Sequence, residues 1–314
     1  MKKIQIIIVA ISLATSSVCA QDVIDYYKKI NEGKIFASES DFESAIKSYQ
    51  QAFENFDHVF ARDCYNAIEL AVLANDTVKL DFFITKAVTQ GIRINDLEKS
   101  GKLDDYLESA FYKNIKETED SLALIYNSKI NWDLRSEINQ MFLEDQSMRE
   151  KYYNSILFKR NVIRTKWEAL NSKQVERLVE ITKQYGFPGE NLIGLDRNEM
   201  HPKVSTTNYS AGMPIVILIH HFSQPNQSYD KLLIEEVRKG NLYNEHFAAI
   251  CDFEAEFGKD KFENFGYYGL RHQPRVPDKN ALNSKREEIG ILKFEQLNAL
   301  NQIKNLTKFW NRLY

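Results

Sequence analysis

Helix breakers are scarce in the first half of this chain. All six prolines (188, 202, 214, 225, 274 and 277) fall between residues 188 and 277, and nine of the twelve glycines lie at or beyond Gly186. Residues 21–185 therefore hold almost nothing that would interrupt stacked or extended helices. Cysteine is scarce too. Of the three, Cys64 and Cys251 stand far apart in helical, apolar contexts with no framework spacing, so they read as buried free thiols. No apolar run reaches the length of a bilayer-crossing helix, which excludes a membrane span. An excess of one charge is also missing: 41 Lys and Arg stand against 44 Asp and Glu. The expected surface is mildly acidic and well mixed, with no electrostatic footprint for nucleic acid or an anionic membrane, and both partners are disfavoured.

What is present begins with a leader. Met1-Lys2-Lys3 precedes a short apolar core, Ile4 to Leu13, and a small-residue site at Val18 and Ala20. This is the pattern of a signal peptide cleaved after Ala20, and export to the periplasm or medium is expected. Lipid attachment at Cys19 is the less favoured reading, because bulky Val18 stands where a small residue belongs. Without Lys2 and Lys3 the count is 39 against 44, a net of −5 with histidine neutral.

The expected fold is all-α, with helical hairpins over residues 21–132 and a compact helical domain over 133–314. A small loop or hairpin is expected near residues 262–277. In the front part Gly33, Phe36, Ala45, Tyr49 and Ala52 fall at the spacing of one tetratricopeptide unit over about residues 26–58. A looser second unit places Ala71, Phe83 and Ala87. Such hairpins offer a surface for a protein or peptide partner, or serve only as a spacer.

From Asp133 to Leu170 an apolar stripe recurs at three and four residues, predicting one long helix with a bend. A further helix is expected to be capped near Ser172 and to end at Gly186-Phe187-Pro188-Gly189. Asp145 falls on the stripe, and Arg149 one turn later is the expected partner for its charge. Met213 to Phe222 is the densest apolar run. Its β-branched Ile215, Val216, Ile217 and Ile219 suit a strand, yet Pro214 at a first turn and helical neighbours favour a buried helix. It ends in His220 and His221, which a helix points about 100° apart. Of the pair, His221 is the one expected to share a polar site.

The order Asp145-Gln146 with Arg149, Gly186-Phe187-Pro188, Ile193-Gly194, the run ending in His221, Ala248 to Asp252, Tyr268-Gly269, and Arg286 before Ile289-Gly290-Ile291 resembles a bacterial family known as domain of unknown function 6624. The resemblance covers residues 137–303, implies no known activity, and points to His221, Asp252, Asp145, Arg149, Tyr268 and Arg286 as one cluster. The chain departs from the family at Phe253, at Leu270-Arg271 and at Lys285. If the six residues converge, Asp252 would orient His221 as a general base and an arginine would hold an anionic substrate, as in a hydrolase or transferase. The favoured reading is instead a structural polar network inside a protein- or ligand-binding scaffold, with Asp145–Arg149 and Asp252–Arg286 as satisfied pairs, the enzyme being the alternative. No serine or cysteine stands in a nucleophile elbow. No cofactor is implied, and no His-x-x-x-His spacing suggests a metal. His246 and His272 read as solvent-facing.

Overall fold

The computed structural model describes residues 23–99, 103–196, 210–222, 229–257, 268–270 and 278–300. The leader, most of the 262–277 loop, His201 and His272 lie outside them. Among the described residues every regular element is helical, as expected of an all-α chain.

Two hairpins open the fold. Helices α1 (Val23–Ser38) and α2 (Phe42–Glu54) pack along each other, as do α3 (Ala61–Leu73) and α4 (Thr77–Thr89). Asp41 and Asp76 cap the second helix of each pair by accepting from the Ser44 and Lys79 amides. Gly33 is required at its crossing, since a Cβ there would lie 2.5 Å from the Tyr49 ring. Ala45, Tyr49, Ala52, Ala71, Phe83 and Ala87 are all buried. Helix α5 (Ile94–Glu98), a 3₁₀ turn (Asp104–Tyr106) and α6 (Ala110–Lys129) follow, with α6 packed on α4.

The long helix expected from Asp133 breaks in the middle. It is two antiparallel helices, α7 (Trp132–Asn154) and α8 (Leu157–Tyr185), joined at Ser155 and Ile156, both in extended backbone. Ser155 Oγ donates to the Tyr152 carbonyl and Arg160 Nε to the Ser155 carbonyl, closing the turn. Folding back lets each apolar stripe cover the other: Gln174 reaches the Met141 carbonyl, and Arg177 pairs with Glu137. The start expected at Ser172 does not exist, because its hydroxyl donates to the Glu168 carbonyl inside α8 and so caps nothing. Helix α8 stops at Gly186, whose φ of 89° needs glycine.

Beyond the one-turn α9 (Glu190–Ile193), helix α10 (Met213–Phe222) is the buried rod, packed on α7, α8 and α12 (Asn244–Phe257). Its β-branched residues prefer strands, but a helix that is apolar all round gains most by full enclosure, and Ile215 and Ile217 are 0% exposed. Helices α11 (Asp230–Arg238), α13 (Lys279–Glu288) and α14 (Phe294–Leu300) complete the described chain. The front and back parts share one core: α1 packs against α11 and α14, and a single apolar cluster runs from Val23 to Leu300. Cys64 and Cys251 are both buried, and no disulfide joins them.

Candidate functional site

Asp145 on α7 is fully buried and held from three helices. Its Oδ1 accepts from Trp167 Nε1 at 2.7 Å and Asn171 Nδ2 at 2.9 Å, both on α8 and one turn apart. Its Oδ2 accepts from Gln146 Nε2 at 2.9 Å and lies 2.7 Å from His220 Nδ1 on α10. Burial alone would raise this carboxyl, but the hydrogen bond and charge of His220, with Trp167 and Asn171 adding to them, hold it below the ordinary Asp value of 3.8. An ionised carboxylate only accepts, so Nδ1 is the protonated ring nitrogen and Nε2 the basic one.

The imidazole is not sealed in. His220 keeps 20% of its side chain accessible and packs edge-on to Trp167 at 5.1 Å. Together they line a cleft of ≈ 300 Å³ with Tyr152, Arg164, Asn171 and Phe257. Arg164 is exposed and bonded through Nε at 2.8 Å to Glu168, which also lines the cleft, so the rim carries an ion pair.

Of the six residues expected to converge, only Asp145 belongs here. His221 is 2% exposed and does not line the cleft that its neighbour lines, adjacent helical residues diverging by about 100°. Arg149 is exposed, with its guanidinium 5.5 Å over the Tyr153 ring, and the expected Asp145–Arg149 partnership is replaced by His220. The remaining three form a separate knot. Asp252 accepts from the backbone amides of Tyr268 at 2.6 Å, Gly269 at 3.2 Å and Leu270 at 2.7 Å. Arg286, 0% exposed, donates to the carbonyls of Tyr268 and Leu292. Asp252 and Arg286 thus grip the same short strap from its amide and carbonyl sides, while the Tyr268 ring packs on Phe247. His246, expected at the surface, is buried at 3% beside Tyr243 because its face of α12 turns into the core.

A third polar group escaped the sequence reading. Asp63 accepts from the Tyr26 and Tyr243 hydroxyls, and Glu245 pairs with Arg62 at 3.2 Å and Lys34 at 3.5 Å. Glu190 Oε2 caps α3 by accepting from the Ala61 amide at 3.0 Å, while its Oε1 has no hydrogen-bond partner. Burial therefore pushes the Glu190 carboxyl up to about 8, and nearby Asp63 adds to the shift. The signal available was a run of charged residues on apolar helix faces, Arg62-Asp63 and Glu245, which must find partners when buried.

Among the described residues no group of three or more His, Cys, Asp or Glu is placed to hold a metal. Compared with family models, with curated proteins and with solved structures, the chain matches none.

Proposed function

We propose that the cleft between α7, α8 and α10 is a ligand site at which His220 transfers a proton, with Asp145 as its positioning residue. The observation that carries this reading is the 2.7 Å contact between a fully buried carboxylate and a partly accessible imidazole at the wall of a cleft. Asp145 holds Nδ1–H, which leaves the Nε2 lone pair as the base. An anionic substrate would have to draw Arg164 from its partner Glu168, and because no serine, threonine or cysteine lines the cleft among the described residues the base acts on water, as in a hydrolase.

Heteronuclear NMR of labelled histidine tests the orientation. At neutral pH the neutral His220 ring is expected as the Nδ1–H tautomer, and Asp145→Asn is expected to abolish that bias; an Nε2–H tautomer in the unmodified chain overturns the assignment. On a panel of nitrophenyl esters and phosphoesters, His220→Gln is expected to lower any turnover by roughly 100-fold or more with fold retained. Turnover that survives the substitution removes the catalytic role.

The close-packed hairpins α1–α2 and α3–α4 favour a second reading, a tetratricopeptide-like scaffold for a peptide, in an exported chain. Partner capture that survives His220→Gln but is lost on substitutions in α1 and α2 would favour it.

A further inference from the structure

We propose that the tip of the α7–α8 hairpin docks on the surface of an anionic phospholipid bilayer. Between Asp145 on α7 and Asn171 on α8 no residue is buried, so past Asp145 the hairpin is no longer enclosed, although Tyr152 and Arg164 still flank the cleft with Phe257. Nine residues of α7 lie beyond that point, a reach of roughly 14 Å at 1.5 Å per residue. A free-standing turn ordinarily carries small polar residues. This one carries Ile156, Leu157 and Phe158 in succession, at 54%, 78% and 75% exposure, with Tyr153 and Val162 beside them at 60% and 58%. An apolar group that concentrated marks an interaction surface.

Charge distinguishes among the occupants. Residues 149–167 hold six Lys or Arg and one Glu, a net of +5, while the rest of the chain has 35 against 43, a net of −8. The well-mixed surface expected from the totals, and with it the exclusion of an anionic membrane, is corrected here: a strongly basic arm stands on an acidic body. Arg149, Lys151, Lys159, Arg164 and Lys166 are exposed. Arg149 lies over Tyr153, and Arg160 lies 5.8 Å over Tyr152 while bonded to the turn, so cations flank the apolar tip. Cations around a convex apolar and aromatic wedge match the interface of an anionic bilayer, where side chains enter below the headgroups and the charges stay among them. Nucleic acid would use the cations but gain nothing from three aliphatic and aromatic side chains at the apex. No described helix is long and apolar enough to cross a membrane, so the contact is peripheral.

The chain from Gln21 onward, which contains every described element, is sedimented with vesicles of phosphatidylcholine alone or mixed equally with phosphatidylglycerol. Binding is expected only to the anionic vesicles and is expected to weaken in high salt. Leu157→Asp with Phe158→Asp, and Lys159→Glu with Lys166→Glu, are each expected to weaken it by roughly tenfold or more. Leu124→Asp, at an exposed apolar site on α6, is expected to leave it unchanged. All altered side chains are exposed, and circular dichroism verifies the fold. The proposal is overturned by no binding, by equal binding to both vesicle types, or by tip variants that bind like the parent. It is equally overturned if sedimentation velocity shows the tip joining two copies of the chain instead. None of these outcomes depends on turnover at His220.

Discussion

Asp145 and Asp252 are both carboxylates on buried helix faces, 0% and 1% exposed, yet their surroundings divide sharply. Asp145 is held by side chains from α7, α8 and α10, among them an imidazole that reaches a cleft. Asp252 is held by three consecutive backbone amides beneath a fully buried arginine. A carboxylate bound by main-chain donors shapes the backbone and has no proton to pass on. One bound by an imidazole at a cleft can orient a base. The Glu190 cluster falls with the closed kind, being buried and, at Ala61, bound to a backbone amide.

The largest effect that separates closed from open should come from Arg286→Met, which leaves the Tyr268 and Leu292 carbonyls without their donor. A loss of about 3–5 kcal/mol is expected in urea unfolding. An unchanged midpoint would mean that the strap does not depend on its arginine.

Next is Glu190→Gln, read as stability against pH. The folded carboxyl titrates at about 8, above its ordinary 4.5, so the stability due to its protonated form is fully present below 4.5 and is lost as pH rises through about 8. Glutamine removes that dependence. The variant should match the parent near pH 4.5 and exceed it near pH 8 by at most roughly 4 kcal/mol. Parallel curves would show that Glu190 is ionised in both states.

The smallest stability effect is expected at the open site. His220→Gln should change unfolding free energy by less than about 1 kcal/mol, since Trp167, Asn171 and Gln146 still satisfy Asp145. A loss as large as that of Arg286→Met would class His220 with the structural groups and erase the contrast.

Much of the architecture was legible because it rests on periodicity and punctuation. The run Met213–Phe222 was expected as a buried helix and is α10, and Gly186 ends α8 where a glycine stop was read. The break at Ser155 was not legible, since no proline or glycine marks it and the reason for it is tertiary: the stripe of α7 needs the stripe of α8. The candidate site was legible in part. Asp145 stood out as a charge on an apolar face, but its partners lie 22, 26 and 75 residues away, and sequence neighbours such as Arg149 drew the eye instead. Choosing between His220 and His221 required the rotational phase of α10, which an apolar run without a polar face does not reveal.

The turn at Ser155 and Ile156 makes the spacing between Asp145 and its α8 donors a matter of helical phase. Inserting or deleting one residue on either limb would swing Asp145 or Trp167 by about 100° and scatter the donors, whereas a change of seven on one limb would nearly restore their facing while sliding the helices by two turns. Length variation in this hairpin is therefore safest when confined to the apex, where it alters what the arm reaches and leaves the carboxylate's surroundings in place.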